Sequence, residues 1–327
     1  MISKTKFEVG SATVASLFNK AGLGDVADVS PLGAGEFNAV YSVKAGNKEY
    51  ALKIAPKEDF SVLTYEKDMM SSEVFWYSLI KQHTDIPVPE IYYTDFSRKE
   101  IPADFFIMEK LNAKLLSTVK LSKEEKCDVD RRIALMAAQI HKVKNDRYGY
   151  VQNGLHDNWY SAIRSMTENL IADCRRAGRK TPKGEKLLGY IDKYKNVLSE
   201  APCAMVNFDL GPYNIMMEGS GNLAKYYWID PERTFWGDPI ADFVCLDIMN
   251  PLEKKTETIK AYNSVADVPV TVSDSERIRY AVAAAYLSLI MEVEKYYRYT
   301  PRHFGWWRNV AACKILYGRA FSALKSL

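Results

Sequence analysis

Three oxygen-bearing side chains in the second half of the sequence have the types and spacing of a phosphoryl-transfer centre. Asp209 is followed five residues later by Asn214, and Asp230 comes after a short apolar stretch. Kinases place one such aspartate near the substrate hydroxyl and use an asparagine and a second aspartate as magnesium ligands. Gly211 and Pro212 favour a loop that directs Asp209 and Asn214 into one cleft. The spacing therefore predicts phosphoryl transfer.

A lysine and a glutamate in the N-terminal part of the sequence extend this pattern. Lys53 lies in an apolar strand, where an unpaired ammonium group would be costly, so it needs an anionic partner. Glu73 on the next predicted helix is the expected partner, and Glu66 is the second choice. A lysine–glutamate pair of this kind holds the α- and β-phosphates of a nucleotide. The alternative is a lysine on an edge strand that extends to water.

A glycine-containing turn and a connecting segment complete the expected nucleotide site. Gly33 and Gly35 would let backbone N–H groups approach phosphate oxygens. An ordinary hairpin turn is an equal alternative, because Asn38 stands where a kinase loop has its third glycine. Backbone groups of Glu109 and Leu111 are expected at the adenine edge, although an ordinary linker would look the same. No Walker-type phosphate-binding motif occurs, which excludes a P-loop enzyme.

The composition is that of a globular enzyme. Of the 327 residues 47% are hydrophobic, and 44 basic residues balance 41 acidic ones, so the charge does not predict nucleic-acid binding. The longest uncharged stretch, residues 280–291, is shorter than the roughly 20 residues of a membrane helix, so we expect no membrane span. The five cysteines are widely spaced, which predicts buried free thiols in a reducing, cytoplasmic environment.

Two regions of different character must position these groups. The first has predicted strands at Val26–Leu32, Ala39–Lys44, Tyr50–Ile54, Ile91–Thr94 and Phe105–Met108, and a helix at Leu63–Gln82. The second has helical patterns at Ser122–Val143, Trp159–Arg176, Gly184–Leu198, Pro239–Met249, Ser275–Tyr297 and Arg302–Leu324. We therefore predict an α+β fold with a nucleotide-binding lobe at residues 1–110 and a helical catalytic and substrate lobe at residues 111–327, with the ligands between them.

The order of the candidate residues resembles that of the aminoglycoside phosphotransferase family, which are small-molecule kinases with a protein-kinase-like fold. The similarity extends from about Pro31 to Asp247. The matched positions are Gly33 to Tyr41, Lys53, Glu73, Pro87-Val88-Pro89, Asp209 to Asn214, Ile229-Asp230-Pro231-Glu232, Gly237-Asp238-Pro239 and Asp242.

This resemblance implies a fold, two cofactors and roles for several of the matched residues. The fold would have a five-stranded antiparallel sheet and one helix in the N-terminal lobe, and a mainly helical C-terminal lobe. ATP and Mg²⁺ would be the cofactors, with Asp209 accepting the proton of the substrate hydroxyl and Asn214 and Asp230 binding the metal. Asp242 would be the buried aspartate that supports the catalytic loop.

One departure from the family lies directly before Asp209. The family usually has His-Gly at this point, whereas this chain has Asn207 and Phe208. Asn207 could imitate the hydrogen bonds of the histidine, but Phe208 makes the loop bulkier. We expect a working kinase, and the alternative is a nucleotide-binding pseudoenzyme with a regulatory or structural role.

The acceptor is expected to be a small hydroxylated molecule. Only eleven residues separate Asp230 from Asp242, too few for the segment with which protein kinases bind polypeptides. An antibiotic, an amino sugar, choline or another metabolite would all fit. Aromatic residues within 296–307 are candidates for the wall of this site, and so are three acidic residues, Glu232, Glu292 and Glu294. Packing in the core and solvated helix faces are the alternatives.

Overall fold

The N-terminal part of the chain forms an antiparallel sheet in which Lys53 lies on a central strand. The computed structural model describes residues 6–32, 37–57, 61–248 and 250–327. Within these residues the sheet has five strands, β1 (Val26–Pro31), β2 (Ala39–Ala45), β3 (Lys48–Ile54), β4 (Ile91–Asp95) and β5 (Phe105–Glu109). Their order is β1-β2-β3-β5-β4, so Lys53 lies between Val40 on β2 and Phe106 on β5.

Two helices pack on this sheet. Helix α1 (Ser11–Lys20) buries Val14, Leu17 and Phe18 against strand residues such as Val43. The sequence interpretation missed α1, although this spacing of apolar residues is typical of an amphipathic helix. Helix α2 (Met69–His83) contributes Met70 and Tyr77 to a cluster around Phe106.

The helix predicted from Leu63 begins later, at Met69. Asp68 has a φ of 52°, a left-handed conformation that a continuous helix does not contain. Before it, residues Thr64–Glu66 form a 3₁₀ turn. Leu63 and Tyr65 are buried in the same cluster as Tyr286 of the C-terminal part. Tertiary packing of this segment, which local spacing does not reveal, therefore overrides the helical pattern.

The C-terminal part is mainly helical. Its helices are α3 (Lys123–Ile140), α4 (Trp159–Arg176), α5 (Pro182–Lys193), α6 (Lys195–Ser199), α7 (Asp242–Cys245), α8 (Thr256–Asn263), α9 (Asp274–Arg298) and α10 (Phe304–Ser326). Its short strands are β6 (Lys114–Leu115), β7 (Ala204–Val206), β8 (Ile215–Glu218), β9 (Lys225–Trp228) and β10 (Phe235–Gly237). Strands β6, β8 and β9 form one sheet in that order, and β10 pairs with β7.

The helix predicted at Pro239–Met249 is wrong in length, and Met249 lies outside the described residues. The chain forms a 3₁₀ turn at Pro239–Ala241 and then α7, which ends at Cys245. Lys255 donates from its ammonium group to the carbonyl oxygens of Leu246 and Asp247. Carbonyl groups at a helix end need such donors, so this lysine stabilises the early termination. Helix α8, which follows Lys255, was not predicted.

The sheet and the helical part together confirm the predicted α+β fold of two lobes. The boundary between residues 110 and 111 stays a prediction. Among the described helices, none is both long and apolar enough to span a membrane.

Candidate active site

A strand pairing brings Asn214 and Asp230 to the same end of the β8–β9 hairpin. Ile215 lies opposite Trp228, and the backbone N–H of Ile229 donates to the carbonyl oxygen of Asn214 at 3.0 Å. Asp230 follows directly with a φ of 59°. Aspartate is among the residues that tolerate this left-handed conformation best. Two residues sixteen positions apart in the sequence thus lie side by side.

Lys53 reaches from the sheet to this end of the hairpin. Its ammonium nitrogen lies 2.8 Å from Glu73 Oε2, so the predicted ion pair is present, and both side chains are buried. It also donates to Asp230 and lies 3.9 Å from Glu232 Oε2. Glu66, the second choice, pairs with Arg298 instead. The contacts of Lys53 with Asp230 and Glu232 were not predicted.

The charges around Lys53 are unbalanced. Oxygen atoms of Glu73, Asp230 and Glu232 lie within 4.8 Å of one another, and Lys53 is the cation in contact with them among the described side chains. Burial raises the pKa of Glu73 to about 7 although Lys53 opposes the shift. Burial and the nearby Asp230 carboxylate also raise the pKa of Glu232. A divalent cation would relieve this surplus of negative charge, so the donor set fits magnesium.

The buried carboxylate of Asp242 holds the loop that carries Asp209 in place. Asp242 accepts hydrogen bonds from the backbone N–H groups of Asn207 at 3.1 Å and Phe208 at 2.6 Å. Asn207 Oδ1 accepts from the backbone N–H of Asp209 at 2.8 Å, and Asn214 Nδ2 donates to the carbonyl oxygen of Asp209 at 3.0 Å. Asn207 therefore supplies a loop-supporting hydrogen bond, and Asp242 has the supporting position expected for it.

His141, at the end of α3, extends this support. Its Nε2 lies 2.9 Å from Asp242 Oδ2, and its Nδ1 lies 2.8 Å from the hydroxyl oxygen of Tyr262. All three side chains are buried. Because a carboxylate only accepts, Nε2 donates to Asp242. Sequence reasoning missed His141, since 101 residues separate it from Asp242.

The Asp209 carboxylate is partly open to solvent, with 41% of its side chain exposed. Burial of the remainder raises its pKa above the ordinary value, and the guanidinium of Arg233, 3.8 Å away, only partly offsets this. Such a carboxylate can orient a hydroxyl group and accept its proton. A cavity of about 570 Å³ is bordered by Phe37, Asn38 and Glu73, and its lining does not include Asp209.

The profile of the phosphotransferase enzyme family matches residues 28–263. The chain belongs to this family. The membership confirms the resemblance to aminoglycoside phosphotransferases and the prediction of a phosphoryl-transferring enzyme, a small-molecule kinase. No curated protein matches the chain in sequence.

Solved structures share the fold at low sequence identity. A Ralstonia eutropha protein provisionally assigned as an aminoglycoside phosphotransferase has 15% identity and a TM-score of 0.67, covering 98% of this chain and 99% of that one. The choline kinase of Streptococcus pneumoniae has 18% identity and a TM-score of 0.62, with coverages of 95% and 98%. The streptomycin–ATP–APH(2″)-IIa ternary complex has 16% identity and a TM-score of 0.60, with coverages of 94% and 97%.

The other predicted nucleotide contacts lie around the sheet. Gly33 and Gly35 are outside the described residues. Glu109 ends β5, and its backbone N–H donates to the carbonyl oxygen of Glu90 at 2.7 Å. Glu109 and Leu111 are both half-buried. Glu109 pairs with Tyr50 on β3, and Leu111 follows β5 on the chain that leads into the C-terminal part.

Two of the three acidic residues suggested for the acceptor wall are engaged in other contacts. Glu294 accepts hydrogen bonds from Arg233 at 2.6 Å and from Tyr65 at 3.1 Å. Glu232 accepts from the Asn38 side chain at 3.3 Å and lies near Lys53. Neither is therefore a free anion for a cationic acceptor. Of the aromatic residues, Phe304 is 78% and Trp307 59% exposed, so these two are not core residues.

Proposed function

We propose that this kinase transfers the γ-phosphoryl group of ATP to a hydroxyl group of a small molecule and requires Mg²⁺. The contact of Lys53 with both Glu73 and Asp230 is the observation that carries the proposal. Through these contacts the sheet, α2 and the β8–β9 hairpin meet at Lys53, beside the loop that carries Asp209. In kinases these groups bind nucleotide phosphates, metal and acceptor.

Different residues bind the phosphates, hold the metal and accept the proton. Lys53, held by Glu73, binds the phosphates. Asn214 and Asp230 hold magnesium, which when bound neutralises charge on the phosphate oxygens. Asp209 orients the acceptor hydroxyl and accepts its proton. Further nucleotide contacts come from Gly33 and Gly35 at the phosphates and from the backbone of Glu109 and Leu111 at the adenine edge.

The acceptor is a small molecule rather than a polypeptide. Between Asp230 and Asp242 the chain forms two 3₁₀ turns and β10, which pairs with β7. This compact path leaves no segment on which a peptide could dock. Among the similar structures, a choline kinase and a complex with streptomycin and ATP support ATP as donor and a small acceptor. An aminoglycoside-like antibiotic, an amino sugar or a related metabolite fits this description.

We propose a nucleotide-binding lobe at residues 1–110 and a helical catalytic and substrate lobe at residues 111–327. The cysteines are free thiols, and three of them, Cys174, Cys203 and Cys313, are buried. Free thiols suit a reducing compartment, so we place the enzyme in the cytoplasm.

The test is ATP consumption with magnesium across aminoglycosides, amino sugars and small amino alcohols. Wild type is compared with Asp209→Asn and with Asp157→Asn, a control at an exposed aspartate. Acceptor-dependent turnover should fall by about 10²-fold or more in Asp209→Asn, while ATP affinity stays near wild type. Undiminished turnover in this variant, or wild type that binds no ATP, would contradict the proposal.

A further inference from the structure

Helix α9 carries a glutamate that contacts side chains of both the N-terminal and the C-terminal part of the chain. Glu294 accepts hydrogen bonds from the hydroxyl of Tyr65 at 3.1 Å and from Arg233 Nη2 at 2.6 Å, and it lies 3.3 Å from Arg298 Nη2. Arg298 in turn binds Glu66. We call these five side chains, Tyr65, Glu66, Arg233, Glu294 and Arg298, the Glu294 network.

On the acceptor side the network ends at Asp209. The two nitrogens of the Arg233 guanidinium face different carboxylates, since Nη2 binds Glu294 and Nη1 lies 3.8 Å from Asp209 Oδ2. A guanidinium is planar and rigid, so fixing one edge also fixes the other. Glu294 thereby determines where the positive charge beside Asp209 lies.

On the nucleotide side the network holds two N-terminal segments. Tyr65 and Glu66 lie in the 3₁₀ turn that precedes α2, the helix that carries Glu73. The guanidinium of Arg298 also lies over the ring of Phe37, 5.2 Å from its centre. In the sequence, Phe37 follows Gly35 by two positions. Helix α9 thus contacts Phe37, just before β2, and the 3₁₀ turn that leads into α2.

The network is buried and electrically balanced. Glu66, Glu294, Arg298 and Arg233 have side chains that are 2%, 6%, 12% and 14% exposed. Burial alone would raise the pKa of Glu294, but the two arginines outweigh it and lower the pKa, so the carboxylate stays ionised. Buried ion pairs are often no more stabilising than apolar side chains of similar volume. A positioning role accounts for their presence better than stability does.

We propose that Glu294 is a positioning residue for both halves of the reaction. Through Arg233 it fixes the surroundings of Asp209, and through Tyr65 and Arg298 it anchors the segment from which α2 and Glu73 extend. This inference rests on the proposed function. It assigns to the C-terminal lobe a residue that sets nucleotide affinity without contacting the nucleotide.

The test distinguishes the contact of Glu294 with Arg233 from its contacts with Tyr65 and Arg298. Glu294→Gln should weaken the affinity for ATP with magnesium, measured by titration calorimetry, about tenfold and should also lower turnover. Arg298→Met should lower ATP affinity similarly. Arg233→Met should leave ATP affinity near wild type and lower turnover at saturating ATP, with partial recovery in Arg233→Lys. Asp274→Asn, the loss of a charge at an exposed acidic residue in the first turn of α9, is the control.

Hydrogen exchange gives a second measurement that needs no activity. In Arg298→Met the amide protons of α2 should exchange about tenfold faster, while those of α5 keep wild-type rates. If Glu294→Gln does not fold, Tyr65→Phe should show the same local effect, because it removes only one hydroxyl. Unchanged α2 exchange, or equal losses of ATP affinity and turnover in Arg233→Met and Arg298→Met, would overturn the inference. Wild type that binds no ATP would contradict the proposed function, and α2 exchange would still test the anchoring.

Discussion

Phe208 donates its backbone N–H to Asp242 at 2.6 Å while its φ of 59° lies in the left-handed region. A glycine would adopt this conformation without strain. The side chain compensates, because its ring is fully buried and lies 5.3 Å from the ring of Phe235 and 5.9 Å from that of Tyr286. The residue that makes the loop bulkier also attaches it to the core.

Replacing Phe208 with glycine should therefore destabilise the protein. Loss of the buried ring costs about 3–5 kcal/mol, and relief of backbone strain returns about 1 kcal/mol. We expect a net decrease of roughly 2–4 kcal/mol in the free energy of unfolding, measured with urea. Phe208→Leu, which keeps the strain and part of the burial, should lose less. Equal or higher stability of the glycine variant would contradict this account of the loop.

The sequence predicted those parts of the site that depend on short spacings. Asp209 and Asn214 share one loop, and the buried strand position of Lys53 required an anion that the next helix could supply. The support provided by His141 and by Glu294 depends on contacts between residues far apart in the chain, which leave no local pattern. The same reason explains the wrong start of α2, where Tyr65 packs against the C-terminal part instead of continuing a helix.

Lys53 and Glu73 are paired, but their removal should have unequal effects. Lys53→Met leaves Glu73, Asp230 and Glu232 facing one another without their ammonium partner, and breaking a buried pair in this way costs about 3–5 kcal/mol. Glu73→Gln leaves Lys53 in contact with Asp230, so it should cost less. Unfolding in urea without nucleotide measures both. A larger loss in Glu73→Gln would show that Glu73 is the principal source of stability in this cluster.

Magnesium dependence can distinguish two possible sets of metal ligands. If Asn214 and Asp230 hold the metal, Asp230→Asn should remove the tightening of ATP binding by magnesium, and Glu232→Gln should retain it. If the carboxylates of Glu73, Asp230 and Glu232 hold the metal, both variants should lose the effect. Titration of ATP with and without magnesium decides between these outcomes. Retained magnesium dependence in Asp230→Asn would exclude both assignments.

Lys255 should make the stability of the protein depend on alkaline pH. Burial lowers its pKa from 10.5 to about 8, and only 2% of the residue is exposed. Between these values the unfolded chain binds a proton that the folded chain does not, so the free energy of unfolding should rise with pH. The shift corresponds to about 3 kcal/mol between pH 8 and 10.5. Urea unfolding of wild type minus Lys255→Met, measured at several pH values, isolates this contribution from those of other groups. Lys254→Met, at the exposed neighbouring lysine, should keep the wild-type slope, and a flat difference for Lys255→Met would mean that Lys255 has an ordinary pKa.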